Sequence, residues 1–433
     1  MKPAILIAAL AALICAHPAS AGPKITGAMT LESLCAYAKD NNPAIQSLKE
    51  NVKAGQGVVD TESGAWWPQV SASFGRSRLL PQPDSAEAVD DTIWAVTARQ
   101  KIYDFGKTKS AVEKRKLEKS GAERRLARGL QVLQHDVSAR HYDYLLSTQT
   151  VDALLQTNAI AYVEYDKARE KNEVGLVAQR IVSALYAVYR GEKLKLERAK
   201  KEMEIKLAAL QELIGSPIGE YFDVEPPSDE PPRFTLPEEA DVFRLALKSR
   251  PETQELDDKI AALRAEIGET RSSHYPFIEG VAEVGDSDRR LPSRNKWEVG
   301  IQAKMDIFDG FTRRSKEEEL TARATALVFE KETLERKIRM EIKSALAELS
   351  LADVKTEMAK AGVTAAQDNL DFARTQYELN LLTELGDALS RYAGAKVEWL
   401  RANYGIRMEL ERLNLATGGA EAVTIMKNGE TAK

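Results

Sequence analysis

The stretch Trp94-Ala-Val-Thr-Ala-Arg-Gln-Lys-Ile-Tyr103 alternates apolar and polar residues, which is the pattern of a β-strand with two different faces. The chain then turns at Asp104-Phe105-Gly106 and continues without a proline to Val174-Gly175-Leu176. In this second part apolar residues recur at steps of three, four and seven, which predicts a helix that packs on other helices: Leu126, Leu130, Leu133, Val137, Tyr144 and Val151. Gly106 and Gly175 are 69 residues apart. A continuous helix of that length extends about 100 Å, which is more than a compact domain needs.

The composition is that of a folded protein with a small negative charge. The chain has 433 residues, of which 43% are apolar and 29% are charged, so it can bury a core. Its formal net charge of −5 provides no basic surface for nucleic acid.

The first 21 residues have the features of a signal peptide. Lys2 supplies the positive start, Ala4–Cys15 supplies the apolar run, and Ala19-Ser20-Ala21 is a small-residue cleavage site. No later stretch approaches the roughly 18 apolar residues of a membrane helix. The protein is therefore predicted to be exported, and any segment that enters a membrane is predicted to be a strand.

The second half of the chain repeats the features of the first half in the same order. Pro43 and Pro68 are 25 residues apart, and so are Pro251 and Pro276. A second helical run of 70 residues leads from Gly310 to Asn380. These spacings predict an internal duplication of a helix–helix–strand–strand–long helix–return helix unit. The predicted divisions are a signal peptide (1–21), a first repeat (22–215), a Pro-rich linker (216–237), a second repeat (238–419) and a loose C-terminal tail (420–433).

Each repeat contains two alternating strands of roughly ten residues, the length that crosses a bilayer when tilted. One face of each strand is apolar apart from Gln100, and the apolar positions are Val70, Ala72, Phe74, Trp94, Val96, Ala98, Ile102, Ile278, Gly280, Ala282, Val284, Trp297, Val299, Ile301, Ala303, Met305 and Ile307. The opposite faces carry serine, arginine, lysine and glutamate residues. This pattern is typical of a membrane barrel with a wet lumen. A soluble sandwich with one solvated face is the alternative interpretation.

Aromatic residues lie near the ends of these strands, as expected for the girdles of a membrane barrel. The candidate membrane-interface residues are Trp66, Trp67, Trp94, Tyr103, Tyr275, Trp297 and Phe308, with Phe105 beside them.

Four strands cannot close a barrel, and an open sheet edge cannot lie in lipid. The strands must therefore come from several copies. Three chains would supply twelve strands, a reasonable number for a barrel with an open lumen. The fold class predicted from the residues is mainly α with a membrane β-barrel, in which long helices extend from the barrel as a tube.

On these features the chain resembles the TolC family of outer-membrane efflux and secretion channels, over essentially the whole mature chain. Beyond the duplication, the resemblance rests on the Asn42-Pro43 helix start, Trp67-Pro68-Gln69-Val70-Ser71-Ala72, Tyr103-Asp104-Phe105-Gly106 with its partner Phe308-Asp309-Gly310, and Val174-Gly175-Leu176-Val177-Ala178.

The resemblance implies a homotrimer with a twelve-stranded β-barrel in the outer membrane and a coiled-coil tunnel through the periplasm. It implies no catalysis and no cofactor. The expected function is the exit duct of a tripartite efflux or type I secretion system. The implied partners are outer-membrane lipid, a periplasmic adaptor and an inner-membrane pump of the RND or ABC type.

The channel gate is expected beside the second hairpin turn. Asp387 matches a family aspartate that faces the pore, and Glu384 lies three residues earlier on the same helix face. In a trimer, either residue would form a ring of three carboxylates that attracts cations. The family's polar latch is missing, because the matching positions are Leu382 and Ile181, so Arg180 is the cation available to hold these acids. The alternative is that the acids are ordinary solvated charges.

The two hairpin turns are expected to contact the adaptor through exposed apolar side chains. They are Gly175-Leu176-Val177 and Asn380-Leu381-Leu382. The alternative is that these side chains only cap the coiled coil.

Enzymatic and metal-binding functions are not expected. His135 and His141 are six residues apart, so they point to different helix faces and form no metal pair. A periplasmic coiled-coil adaptor or scaffold is the second functional hypothesis. Such a protein would also be exported, but it would not need strands with lipid-like faces.

Overall fold

The described part of the chain is mostly helical and contains a four-stranded sheet. The computed structural model describes residues 27–79, 89–219, 222–228, 230–287, 296–378, 385–420 and 425–426. The elements in chain order are α1 (Leu31–Asn41), α2 (Pro43–Ser63), a short 3-10 turn (Gly64–Trp66), β1 (Gln69–Leu79), β2 (Val89–Tyr103), α3 (Lys107–Glu173), α4 (Gln179–Ile214), β3 (Arg233–Phe234), α5 (Glu239–Ser249), α6 (Pro251–Ser272), β4 (Phe277–Ser287), β5 (Trp297–Lys304), α7 (Thr312–Glu378), α8 (Leu385–Ala416) and β6 (Ile425–Met426).

One order of elements occurs twice: α1-α2-β1-β2-α3-α4 and then α5-α6-β4-β5-α7-α8. The two long helices, α3 and α7, have 67 residues each. A helix of that length has a contour of about 100 Å. The prediction of a duplicated unit with two equally long helices is therefore confirmed.

The two short helices end in the same way because a proline follows each of them. Asn42 precedes Pro43 with φ −67° and ψ 122°, and Arg250 precedes Pro251 with φ −67° and ψ 126°. The proline ring excludes the helical conformation at the residue before it. Each pair of short and medium helices is therefore joined by a sharp corner.

Both return helices end at a left-handed glycine that lies against one of these corners. Gly215 has φ 76°, and a Cβ there would lie 2.4 Å from the carbonyl oxygen of Asn41. Gly418 has φ 73°, and a Cβ there would lie 2.8 Å from Arg250 Cα. Only glycine fits both the backbone conformation and the close approach.

The sheet contains β1, β2, β4 and β5 in that order, and all neighbouring strands are antiparallel. Each repeat supplies one hairpin, and β2 pairs with β4 to join the two hairpins. One edge of β1 and one edge of β5 have no strand partner within the described part of the chain.

Strand β5 is shorter than predicted. It ends at Lys304, so Met305 and Ile307 lie after the strand and not on its apolar face. The Arg313 guanidinium donates to the carbonyl oxygens of Ser273 and Asp306 at 2.9 and 3.3 Å, which engages this backbone outside the sheet ladder.

The chain folds as two compact units. One takes the described residues up to Pro43 and those within Leu133–Pro232 and Leu351–Met408, and its core includes Tyr142 and Leu145 packed with Leu400 and Tyr404.

The other unit takes the described residues within Ala44–Val132 and Arg233–Ser350 and those from Glu409 onward, and it contains the four-stranded sheet. In this unit Ile425–Met426 pairs with Arg233–Phe234. The expectation of a loose tail is therefore wrong at these two residues.

Candidate functional site

The sheet has one face that is apolar across all four strands except at Gln100, which lies opposite Gly280. Val70 lies opposite Ala98, Ala98 opposite Ala282, and Ala282 opposite Val299. Directly opposed residues of an antiparallel sheet point to the same side, so these four side chains form one apolar row. The next row consists of Ala72, Val96, Val284 and Trp297. In the single chain Val70 is 68% exposed and Val299 is 73% exposed.

The opposite face of the same strands is polar. Ser71, Thr97, Glu283 and Glu298 form one row across it. The Thr97 hydroxyl donates to Glu283 Oε2 at 3.1 Å, and the Gln302 amide donates to Glu279. Glu283 and Glu298 are directly opposed, and two like charges in such a pair are unfavourable unless water or counter-ions screen them. This face is therefore suited to an aqueous environment.

A β-bulge decides the position of Tyr103. Lys101 lies opposite Glu279, but Tyr103 lies opposite Ile278, so Ile102 is the extra residue. Strict alternation from Trp94 would place Tyr103 on the polar face. The bulge changes that parity and aligns Tyr103 with Ile278 on the apolar face.

The exposed aromatic residues occupy two levels of the sheet. Trp66, Trp67, Tyr103, Tyr275 and Phe308 lie at the end where the helices begin, and Trp94 and Trp297 lie toward the loops. Trp94 and Tyr103 are nine residues apart on β2, which corresponds to about 30 Å along the strand. A strand tilted by about 40° then covers about 23 Å of depth, close to the apolar band of membrane barrels.

The turn from β2 into α3 is held by a buried aspartate. Asp104 is 4% exposed and accepts hydrogen bonds from the Gly106 N–H at 3.2 Å, the Thr108 N–H at 2.9 Å and the Thr108 hydroxyl. Burial raises the pKa of Asp104, but the hydrogen bonds from Thr108, the charge of Lys101 and the Gly106 N–H together lower that pKa below its usual value.

The second repeat builds the same turn around Asp309. Its carboxylate accepts from the Phe311 and Arg313 N–H groups, both at 3.1 Å, and from the Arg313 side chain. The Arg313 hydrogen bond holds the pKa of Asp309 below its usual value. In both turns the two residues after the aspartate have positive φ, with glycine and phenylalanine in opposite order.

The first hairpin turn is tightly closed by backbone hydrogen bonds. Gly175 has φ 75°, its N–H donates to Asn172 O at 2.9 Å, and the Leu176 N–H donates to Lys171 O at 2.8 Å. This is a helix-ending motif with a left-handed glycine. The Asn172 side chain also donates to Val177 O at 2.7 Å. Leu176 is 76% exposed, as predicted for an apolar tip.

The second hairpin turn lies outside the described residues, and so do Asn380, Leu381, Leu382 and Glu384. Asp387 is described and forms an ion pair with Arg391 on the next turn of α8, at 2.6 Å. Arg180 is exposed at the start of α4 and has no ion pair in the described ranges. The interaction of Arg180 with the acids thus remains a prediction.

Sequence reasoning missed Arg391 and Gly386 beside Asp387. The i, i+4 spacing of Asp387 and Arg391 was a readable signal for their ion pair. Gly386 gave no such signal. A Cβ at this position would lie 2.4 Å from the Ile160 side chain, so its role depends on how closely α8 approaches α3.

No helix in the described part of the chain is long and apolar enough to cross a bilayer. Among the same residues, no group of three or more His, Cys, Asp or Glu side chains is arranged to hold a metal ion.

The family model for outer membrane efflux proteins matches residues 34–216 and 242–419. The chain belongs to the outer membrane efflux protein family. This confirms the resemblance to TolC-like channels. The chain is accordingly an outer-membrane efflux channel with a periplasmic helical part, and the family is not one of enzymes.

Efflux pump outer membrane proteins of Pseudomonas putida are among the relatives of this family member. The probable efflux pump outer membrane protein TtgC and the antibiotic efflux pump outer membrane protein ArpC are each 21% identical to it over 377 residues, which cover 82% of this chain and 75% of theirs.

Solved structures of outer-membrane channels share the fold of this efflux protein. CusC superposes with a TM-score of 0.74 at 16% identity, covering 92% of this chain and 95% of CusC. The Campylobacter jejuni CmeC outer membrane channel superposes with a TM-score of 0.74 at 15% identity, covering 90% of this chain and 85% of CmeC.

Proposed function

We propose that three copies of this chain close a twelve-stranded barrel and form the exit duct of a tripartite efflux or type I secretion system. The observation that carries this proposal is the sheet, which has an apolar face, a polar face and two open edges. Open edges are not tolerated in lipid, and pairing β1 of one copy with β5 of the next satisfies both. Three sheets of four strands then make a barrel with a polar lumen.

Side chains on α7 support a helical contact between copies. A groove of about 810 Å³ runs along this helix between Arg314 and Phe329, and Phe329 is 63% exposed. Its lining residues include Thr321, Ala322, Thr325 and Ala326, whose small side chains let a second helix approach closely. A neighbouring copy suits this groove because barrel closure brings identical chains side by side.

The family and the names of the relatives support the proposed partners of the duct. Proteins named as outer membrane components of efflux pumps act with an inner-membrane pump, and the proposal assigns this chain an adaptor and a pump of the RND or ABC type. The first hairpin turn, Gly175-Leu176-Val177, in which Leu176 is exposed, is the proposed adaptor contact. Asp387 and Arg180 are the proposed gate residues within the described chain.

The oligomeric state is the direct test. The purified protein is expected to have three times the mass of one chain when light scattering is corrected for bound detergent. A monomer that stays stable and inserted in lipid would contradict the proposal, because its sheet edges would then be satisfied in some other way.

A further inference from the structure

Three exposed aromatic rings lie together at the helix-side edge of the apolar face, two of them just before α3 and one just before β4. The rings of Tyr103 and Phe105 meet edge to face with centroids 4.7 Å apart, and Phe105 stacks on Tyr275 at 5.1 Å. Tyr103 and Tyr275 are each 54% exposed. Aromatic rings at the end of a lipid-facing surface occupy the level of the lipid headgroups.

The backbone at Phe105 is in a conformation that a large side chain disfavours. Phe105 has φ 52°, and its counterpart in the second repeat, Phe311, has φ 66°. The Ser272 hydroxyl donates to Phe105 O at 3.1 Å and helps to hold the turn. A phenylalanine with positive φ in both repeats indicates that the interactions of its aromatic ring offset the cost of this backbone conformation.

Two lysines follow these rings in the first turn of α3. Lys107 and Lys109 are exposed, and neither ammonium group has a hydrogen bond or ion pair within the described residues. A cation in the first turn opposes the helix dipole. Helices α1, α5, α6 and α8 instead have an acidic residue there. Lys107 and Lys109 are two residues apart on the helix and flank the buried Thr108, so their side chains leave α3 on different sides. Each ammonium group is therefore suited to its own anion outside the chain, at the level of the first turn of α3.

The second repeat provides a contrast at the start of α7. Arg314 pairs with Glu318 and Lys316 pairs with Glu319, each at 3.1 Å. These cations are balanced within their own helix. The charge on Lys107 and Lys109 has no such balance in the described chain.

We infer that Tyr103, Phe105, Tyr275, Lys107 and Lys109, here called the headgroup surface, bind anionic phospholipid. The ammonium groups attract the phosphate, and the rings contact the glycerol and the upper acyl chains. A zwitterionic lipid such as phosphatidylcholine carries its own balancing cation, so a lipid with net negative charge is preferred. The inference rests on the proposed function, because the apolar face must lie in lipid.

The test compares lipids retained by the full-length protein after reconstitution into nanodiscs. Phosphatidylglycerol and phosphatidylcholine are supplied in equal amounts, and retained lipid is counted by native mass spectrometry after release into detergent. The wild type is expected to retain phosphatidylglycerol about 30-fold more strongly, which is equivalent to about 2 kcal/mol for two lysines. The double variant Lys107→Gln/Lys109→Gln is expected to lose this preference, and Lys107→Arg/Lys109→Arg is expected to keep it.

Lys316→Gln is the matched control, since it removes a cation near the start of the other long helix, outside the α7 groove, and leaves Glu319 paired with Arg323. It is expected to keep the lipid preference. Equal retention of both lipids by the wild type, or an unchanged preference in the double glutamine variant, would overturn the inference. If the protein retained inorganic phosphate as strongly as phosphatidylglycerol when both are supplied at the same concentration, that result would also contradict the inference. The failures are distinguishable: a trimer that inserts without discriminating lipids refutes only the headgroup surface, whereas a failure to form trimers refutes the proposed function.

Discussion

A charge on the middle of the apolar face should prevent stable insertion into the membrane. Val299 lies in the row with Val70, Ala98 and Ala282, and Ala98 is four residues from Trp94 and five from Tyr103. This row is therefore near the middle of the proposed bilayer depth. Arginine at that depth on the lipid face of a barrel costs about 2–4 kcal/mol.

The free-energy cost of this substitution is incurred once in each of the three chains of a closed barrel. Val299→Arg lowers the folding equilibrium of one chain roughly 30-fold to 700-fold. Three copies raise the total to about 6–12 kcal/mol, which is comparable to the stability of a typical domain. The measurement is the free energy of folding into lipid vesicles from a urea titration, together with the amount of protein in isolated outer membranes.

The neighbouring residue Glu298 provides the matched control. Glu298→Arg introduces the same side chain one residue earlier, on the polar face opposite Glu283. It replaces a like-charge pair with an attractive pair, so stability should be unchanged or rise by up to about 1 kcal/mol. If both variants insert equally well, or if Glu298→Arg is the one that fails, the assignment of the two faces is wrong.

Four further outcomes follow from individual residues. Asp104→Ala should lower the free energy of unfolding by about 1–2 kcal/mol, because the N–H groups of Gly106 and Thr108 lose their acceptor. The pKa of Asp104 is lowered in the folded protein, so this difference in stability between wild type and variant should be present above the ordinary aspartate pKa. It should disappear as the pH falls through the folded pKa. Gly215→Ala should destabilise the protein by more than about 1 kcal/mol in thermal unfolding, whereas Gly191→Ala, with open space around its Cβ in the middle of α4, should stabilise it by up to about 1 kcal/mol; a reversed order would contradict the packing at the corner. Burial lowers the pKa of His141 from 6.5 to about 4, so its contribution to the free energy of unfolding should be fully present above pH 6.5 and about 2 kcal/mol smaller at pH 5. His141→Gln should remove this pH dependence, and an equal loss of stability in the variant would show that other groups cause it. Asp387→Ala should raise single-channel conductance and weaken block by divalent cations in planar bilayers, and unchanged values would show that Asp387 faces away from the pore.

Much of the architecture was readable from local periodicity. The long helices were predicted as runs of 69 and 70 residues and were found with 67 residues each, because apolar spacing and the absence of proline act within a few residues of each position. The turns at Asp104 and Asp309 were likewise marked by glycine and aspartate, whose effects are local.

The candidate site was harder to predict from the sequence, because it depends on pairing between distant parts of the chain. Glu283 and Glu298 oppose each other through the register of β4 and β5, and Thr97 reaches Glu283 across 186 positions of sequence. The bulge at Ile102 moves Tyr103 to the apolar face although alternation in the sequence assigns it to the other face. The alternation of a strand determines that it has two faces, and the helix period determines which residues pack together. The strand register, the parity change at a bulge and the close approach at Gly386 depend on contacts between residues far apart in the chain, and only the tertiary structure decides them.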